Sequence, residues 1–311
     1  MSAAFEHPSE EPAGDQSGFD PESPWRIFVV DFFASKIATC AFAMLVLIII
    51  VALIAPLISS QNPYDLVMED GLDNRLPPGA ENLDEQIFRL GSDNTGRNLL
   101  NAILYGLRTS LGVGVVSGII ALSIGMSMGL AAVYFGGKID TLIMRIVDFQ
   151  LSFPAILVTI ILLAILGKGL DKTIIALTII QWPYYASTLR DNAIAEYRKG
   201  YIQAAACLAL SRQRIVFHHL LPNCLPPLIV IGILQTANAI TLEATVSFLG
   251  IGLPLTQPSL GLLIANGFEY LPNGEYWISF FPGIVLLLTI FSINLVGEQL
   301  RDILKPLAAS R

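Results

Sequence analysis

The chain has 311 residues, of which 54% are hydrophobic and only 14% charged, and its mean hydropathy is +0.64. Soluble domains carry about 25% charged residues, so this composition excludes an ordinary soluble protein and indicates a membrane protein. The net charge is −7 and no basic cluster is present, so the predicted surroundings are a lipid bilayer and no nucleic acid.

The N-terminal segment is polar and acidic. Residues 1–25 contain six Asp and Glu residues and no Lys or Arg. A secretory signal would begin with positive charge and continue into an apolar run. We therefore predict that residues 1–36 form an uncleaved, disordered cytoplasmic tail.

Six apolar segments follow, each close to the roughly 20 residues that a helix needs to cross a bilayer. They are residues 37–58, 109–137, 149–167, 173–189, 226–250 and 276–297. Only the fifth contains a charged residue, Glu243. The sequence thus predicts an all-α membrane protein with six transmembrane helices and both termini on the same side.

Lys and Arg residues set the orientation. With a cytoplasmic N-terminus, the cytoplasmic segments hold 12 of them and the opposite side holds 6. Cytoplasmic loops normally carry this positive excess, so we predict that both termini are cytoplasmic. The predicted regions are the first helix at 37–58, an extracytoplasmic loop at 59–106, a core with five helices at 107–302, a loop within it at 191–225, and a cytoplasmic end at 303–311.

The second predicted span has a face of small residues at four-residue steps. These are Ser117, Ala121, Gly125 and Gly129. Such a face lets two helices approach closely. Packing within the chain and packing against another subunit are both open.

The polar gap between the fourth and fifth spans has the pattern of a helix–turn–helix. Residues 192–209 are rich in alanine and favour a helix. The pattern breaks after Ala209, and Ser211 is a good N-cap for a second short helix. Pro222 is predicted to end that helix and Pro226 to begin the next span. The alternative is an amphipathic helix that contacts only lipid headgroups.

Part of this gap, residues 203–223, reads QAAACLALSRQRIVFHHLLPN and resembles the EAA loop of bacterial ABC importer permeases. In that family the loop is a cytoplasmic coupling helix that docks on a separate ATPase. Gln203 stands where the motif has glutamate, and Ala209 where it has glycine. The resemblance implies ATPase-coupling roles for Gln203, Ala204, Ala205, Ala206, Ala209, Ser211, Arg212 and Arg214.

Other segments are similar to the C-type permeases of the dipeptide/oligopeptide/nickel group. They are residues 89–97, 104–111, 243–254 with 258–259, and 294–302. The resemblance implies a type I ABC importer permease fold in the bacterial inner membrane. It also implies that the chain forms half of a pathway that imports peptides by alternating access. Nickel or another small solute is the open alternative.

The resemblance implies partners as well. They are a homologous second permease, two ATP-binding subunits and an extracytoplasmic substrate-binding protein. The chain has no GxxxxGK[ST] motif, so we expect ATP and Mg to bind the partner ATPases and not this chain, which is then no enzyme. Three scattered cysteines and three histidines predict no metal site.

Two other classes of protein are alternatives. A stand-alone secondary transporter would be favoured by inverted repeats or broken helices, and the sequence has no clear repeat. An intramembrane hydrolase is suggested by the GxSxG match around Ser127. That serine lies inside an apolar span, and no histidine lies in any span, so helix packing explains the match better.

Polar side chains within the spans or at the start of the third must face protein or water, so they line the translocation path or bond between helices. They are Asp148, Gln150, Ser152, Gln181, Gln235, Asn238 and Thr241. Glu243 is either a pore-lining group or a structural anchor bonded to Thr245 or Ser247 near the outer end of its span. The resemblance favours the anchor.

Overall fold

The computed structural model describes residues 30–59, 73–82 and 85–309, and it is mostly helical. The helices are α1 (Lys36–Ile58), α2 (Leu99–Phe135), α3 (Gly137–Leu151), α4 (Ala155–Leu166), α5 (Leu170–Tyr197), α6 (Gly200–Cys207), α7 (Arg212–Arg214), α8 (Leu221–Phe248), α9 (Leu260–Phe268) and α10 (Trp277–Ala309). A π-helical stretch (Ile215–Leu220) joins α7 to α8, and a 3-10 turn (Leu271–Asn273) precedes α10. Two short antiparallel strands, β1 (Ala80–Glu81) and β2 (Ile87–Phe88), pair before α2.

Within the described residues, four helical segments are long and apolar enough to cross a membrane. They are Lys36–Ile58, Leu99–Phe135, Arg212–Phe248 and Trp277–Leu304. Helices α3 and α4 qualify together as a fifth, bent by 91° at the break between them. Helix α5, which contains the predicted span 173–189, does not meet this criterion. It packs against α2 and α8, where polar side chains such as Gln181 contact protein. The number six and the side of the termini stay predictions.

Helix α1 packs against α2 and α10. The Ser35 hydroxyl caps it by accepting the Ala38 amide at 3.4 Å. Phe32 is buried in a cluster with Val296 and Ile303 of α10. The packed part of the chain therefore begins before the predicted tail boundary at residue 36. The rest of that predicted tail, residues 1–29, lies outside the described residues.

Helix α2 begins at Leu99, ten residues before the predicted span 109–137, so the helix itself is longer than that span. The loop end at residue 106 stays a prediction. The Asn98 side chain accepts the Leu100 amide at 3.0 Å and fixes the start. Arg108, which bounded the apolar run in the sequence, lies on an exposed face of the helix. A charge on one face does not interrupt a helix that projects beyond the bilayer.

Polar contacts tie the segment before α2 to the start of α10. The Ser92 hydroxyl donates to the Asp73 carbonyl at 2.6 Å, and Arg97 Nε donates to the Asp93 carboxylate at 2.7 Å. Trp277 Nε1 donates to the Ser92 carbonyl at 3.4 Å. This segment therefore forms a fixed cap on one end of the helices.

The small-residue face of α2 packs within the chain. A Cβ added at Gly125 would lie 2.4 Å from the Trp182 carbonyl oxygen, and one at Gly129 would lie 2.9 Å from that of Ala186. Ala121 on the same face is fully buried. Of the two alternatives, close contact between α2 and α5 accounts for these residues. This contact forms the centre of the helical core.

Candidate functional site

The predicted coupling residues lie on α6, on α7 and in the turn between them. The helix predicted over residues 192–209 is in fact two helices, because α5 ends at Tyr197 and α6 begins at Gly200. Glycine disfavours a continuous helix. The predicted single helix is therefore wrong, and α6 is a separate element.

One face of helix α6 packs against the rest of the chain, and the other face is exposed. Ile202 is fully buried and Ala205 is 7% exposed, three residues apart on one face. Gln203 and Ala204 are exposed, and Leu208 just beyond α6 is 76% exposed. We call Gln203, Ala204 and Leu208 the outer α6 face. Ala205 was predicted to seat another protein but packs inside this chain. Ala206 belongs to α6 as well.

The turn after α6 is left-handed. Ala209 has a φ of 55°, a region that glycine adopts at little cost and that other residues rarely adopt. It is the position at which the EAA pattern has glycine. The Ser211 hydroxyl then accepts the Arg214 amide at 3.4 Å, which confirms the predicted N-cap. Arg212 and Arg214 are both exposed beyond this cap.

Pro222 does not end the second helix, so that prediction is wrong. The backbone is helical from Arg212 to Phe248, through Pro222 and Pro226. A π-helix pairs an amide with the carbonyl five residues earlier, as Leu221 does with Val216. The hydrogen bonds have therefore shifted from four-residue to five-residue spacing just before Pro222. Pro222 lacks an N–H, and the helix continues through it.

An apolar cluster fixes the loop on the end of α2. Its buried members are Ile202, Ile215, Val216 and Leu220, and they pack with Leu130, Val133, Tyr134 and Leu210. The Arg212 guanidinium lies 5.6 Å from the centre of the Tyr134 ring, within the range of a cation–π contact. The loop is therefore seated on the helical core along its length.

Side-chain hydrogen bonds tie α6 to the helices on both sides. Asn223 Nδ2 of α8 donates to the Tyr201 hydroxyl at 2.9 Å, and Tyr201 donates to Glu196 of α5 at 2.5 Å. Lys199 forms an ion pair with Glu196 at 3.1 Å. Burial, and then the bond to Glu196, raise the pKa of Tyr201, so the phenol keeps its proton and remains a donor.

A cleft of about 370 Å³ lies between the loop and the core. Asp140 and Arg190 line it and form a bidentate ion pair, with distances of 2.7 and 2.9 Å. Arg198 and Gln203 add further polar groups to its lining. Sequence reasoning missed the Asp140–Arg190 pair, because its members are 50 positions apart and no local pattern connects them.

Gln150 joins α3 to α5 beside a proline. Pro183 lacks an N–H, so the carbonyl of Ile179, four residues earlier, loses its normal helical partner. The side-chain amide of Gln150 donates to that carbonyl. Of the two roles predicted for Gln150, hydrogen bonding between helices describes this contact. Sequence reasoning missed Pro183, although a proline inside an apolar span is itself a sign of an unpaired carbonyl.

Asp148 and Ser152 lie at the break between α3 and α4. Asp148 is exposed on the last turns of α3. The Ser152 hydroxyl donates to the main-chain carbonyl of Asp148 at 2.6 Å and leaves the carboxylate alone. Among the residues that the structure describes, none donates a hydrogen bond to this carboxylate or forms an ion pair with it.

The other polar candidates are divided between core and surface. Gln181 is 1% exposed, and neither polar atom of its side chain has a partner in the described part of the chain. Gln235 is buried and accepts a hydrogen bond from Asn238 at 2.6 Å. Thr241 donates to the Ala237 carbonyl at 2.8 Å within α8. Asn238 and Thr241 are exposed, so they are available to a path or a partner.

Glu243 is fully buried where α8 meets α2. The hydroxyls of Ser110 and Ser247 each donate to its carboxylate at 2.8 Å. The Ser110 oxygen also accepts the Leu260 amide at 3.4 Å. Glu243 therefore connects α2, α8 and the start of α9, and its bond to Ser247 is one of those predicted for an anchor.

Ser127 and the potential metal ligands are the remaining candidates among the described residues. The Ser127 hydroxyl donates to the Ser123 carbonyl at 2.7 Å inside α2, as expected for a serine in helix packing. No three His, Cys, Asp or Glu side chains come together among residues 30–59, 73–82 and 85–309.

Comparison with protein families gives two matches. A family model described as "Binding-protein-dependent transport system inner membrane component" matches residues 121–309. A model of the N-terminal TM domain of oligopeptide transport permease C matches residues 23–78.

Curated relatives cover almost the whole chain. The dipeptide transport system permease protein DppC of Alkalihalophilus pseudofirmus is 35% identical over 300 residues, which are 96% of this chain and 94% of the relative. The di/tripeptide transport system permease protein DppC of Pseudomonas aeruginosa is 34% identical over 295 residues, which are 95% of this chain and 96% of the relative.

Among solved structures, the inward-facing MetNI methionine ABC transporter matches with a TM-score of 0.54 and 21% identity. The match covers 66% of this chain and 97% of the other chain. At this identity the likeness concerns the fold alone. Together with the family match, it confirms the predicted all-α, type I importer permease fold.

Proposed function

Because the chain belongs to the family of binding-protein-dependent transport system inner membrane components, we propose that it forms half of the translocation pathway of an ATP-driven peptide importer. Relatives named as dipeptide and di/tripeptide transport permeases support peptides as the cargo. As a permease subunit of an ABC transporter, the chain works with an ATPase that is a separate subunit.

The contrast between the two faces of α6 is the main support for ATPase coupling. Ile202 and Ala205 hold the helix on the core, while the outer α6 face is exposed. On that face the Gln203 side chain donates to the Arg198 carbonyl at 3.3 Å, and Ala204 and Leu208 are open to another protein. The short side chain of Ala204 lets the backbone of another protein approach closely. Helices that bind headgroups carry Lys or Arg on their polar face, and α6 has neither. A protein cleft therefore fits this face better than lipid.

Contacts at α6 would carry its movement to the rest of the chain. Tyr201 bonds to α5 through Glu196 and to α8 through Asn223. Helix α5 in turn holds α3 through Arg190 and Asp140. We infer that displacement of α6 re-packs these helices against the second permease and produces alternating access. Moving a two-state pore from 1:99 to 99:1 requires about 5.5 kcal/mol of differential binding, so the connection has to be rigid.

The complete importer would hold several other components. They are a homologous second permease, two ATP-binding subunits that carry ATP and Mg, and an extracytoplasmic substrate-binding protein. The proposed location is the bacterial inner membrane, with both termini and α6 in the cytoplasm. The excess of Lys and Arg on that side supports this orientation.

The test is purification of the chain from its host in mild detergent, followed by reconstitution into liposomes. We expect a second permease and ATPases to copurify, and labelled dipeptide to enter only with ATP and the binding protein. Purification of a lone chain that transports along an ion gradient would contradict the proposal. In that case the 91° break between α3 and α4 would point to a secondary transporter.

A further inference from the structure

A contact at the break between α3 and α4 relates the break to the predicted span 173–189 on α5. Gln150, at the end of α3, contacts the carbonyl of Ile179. Ile179 lies nine residues after Leu170, the first residue of α5, and thus about 14 Å along that helix. Ile179 is two residues from the centre of the predicted span 173–189, so we place the break near the middle of that span and of the hydrocarbon layer, which is about 30 Å thick. Asp148 is two residues before Gln150 and shares this depth.

A carboxylate at this depth needs water or a cation. Asp148 is exposed on the chain, and no described residue donates a hydrogen bond to it or forms an ion pair with it. Ionisable residues within spans are costly, face a bundle interior or a water-filled cavity, and mark substrate or ion pathways. Lipid is therefore excluded as the permanent neighbour of Asp148.

Exposed aromatic residues lie at the same break between α3 and α4 as Asp148. Phe149 and Phe153 are 68% and 50% exposed, and their ring centres are 5.2 Å apart in an edge-to-face arrangement. Tyr184 of α5 lines a small cavity at the break together with Phe153. These rings and the Asp148 carboxylate lie at the same break in the chain, within five positions of one another or across from it on α5. Carboxylates and exposed aromatic faces are the two kinds of group that bind an organic ammonium.

We propose that Asp148 binds the protonated α-amino group of a peptide as it passes the break. The proposal rests on the peptide-importer function above. Peptides share this ammonium group and differ in their side chains, so a contact to it accepts many sequences. The alternative to this binding site is a permanent ion pair between Asp148 and a basic residue of the second permease. That pair would bury the carboxylate permanently at a high desolvation cost, and no hydroxyl or amide among the described residues donates to it.

The first test uses the complete importer in liposomes. We expect Asp148→Asn to lower the maximal rate of uptake about tenfold at saturating binding protein, and Asp148→Glu to retain most of the rate. The matched control is Glu298→Gln, which removes an exposed carboxylate on α10, and it should behave like the wild type. Peptide uptake by Asp148→Asn at the wild-type rate would overturn the proposed Asp148 site and leave the peptide-importer function standing. Absence of ATP-driven peptide uptake by the wild type would instead overturn the peptide-importer function.

Two further readouts separate the ligand from the rival partner. Loss of the second permease from purified Asp148→Asn would assign the carboxylate to a subunit ion pair and overturn the proposal. Asp148→Cys, in a chain whose exposed Cys40 and Cys207 are replaced by Ser, should react with a water-soluble cationic thiosulfonate in at least one nucleotide state. Absence of reaction in every state would remove residue 148 from the aqueous path and also overturn the proposal.

Discussion

Ala209 holds a backbone conformation that costs an alanine about 1 kcal/mol, because a φ of 55° brings its Cβ close to the following carbonyl oxygen. The EAA pattern has glycine at this position, so the sequence predicted a turn here. The structure gives the physical reason for the glycine. The chain keeps the turn without it, because Ser211 caps the next helix and Ile202 anchors α6.

We expect Ala209→Gly to stabilise the permease by about 1 kcal/mol, since glycine removes this steric cost. Thermal unfolding of the purified complex would measure the effect as a higher Tm. The matched control is Ala204→Gly, an exposed position inside α6, where glycine should lower stability by up to about 1 kcal/mol. An unchanged or lower Tm for Ala209→Gly would argue against strain at the turn.

Glu243 is a second residue whose role can be measured. Glu243→Ala leaves the hydroxyls of Ser110 and Ser247 without their acceptor and opens a cavity. We expect a loss of about 3 kcal/mol, and a smaller loss of about 1 kcal/mol for Glu243→Gln. Thermal unfolding and the yield of assembled complex would report both. Normal assembly of Glu243→Gln with altered substrate dependence would favour the pore-lining role.

At the scale of elements, apolar runs predicted where the helices lie more accurately than where they begin and end. The predicted first span, 37–58, agrees with Lys36–Ile58. The predicted third span, 149–167, is wrong in shape, because the helix breaks at Pro154 and the amphipathic α3 precedes it. Helix α3 carries charged residues, Asp148 among them, so a search for apolar runs does not find it. Its packing on α5 depends on contacts between distant residues.

The contact between Gln150 and α5 predicts a rescue. Gln150→Leu leaves the Ile179 carbonyl unpaired and should cost about 1–2 kcal/mol of stability. Pro183→Ala restores an N–H that can donate to the same carbonyl, so adding it should remove most of that loss. A double-mutant cycle on thermal unfolding would measure the coupling. Simple additivity of the two changes would mean that Gln150 does not serve the Ile179 carbonyl.

At the scale of the whole molecule, composition and short motifs predicted the membrane class and the permease fold. They did not predict which polar groups meet across the core. Ser110 and Glu243 are 133 positions apart, and Asp140 and Arg190 are 50 apart. Such pairs depend on the packing of whole helices. Helix α5 fails a test of span composition, and it packs against α2, α3 and α8, where polar residues such as Gln181 are buried in protein.

The central claim is that the outer α6 face docks on the ATPase. A charge at exposed Ala204 should disturb that contact while the membrane helices stay intact, because an unpaired charge buried in an interface is costly. Ala195→Asp is the matched control, since Ala195 is an exposed alanine at the end of α5 outside this face.

The most direct measurement is ATP-driven peptide uptake, together with ATPase copurification, for Ala204→Asp and Ala195→Asp in the reconstituted importer. We predict that Ala204→Asp loses uptake by about tenfold or more and releases the ATPases, while the permease pair still inserts. Ala195→Asp should match the wild type. Full uptake with bound ATPases in Ala204→Asp would contradict coupling through α6.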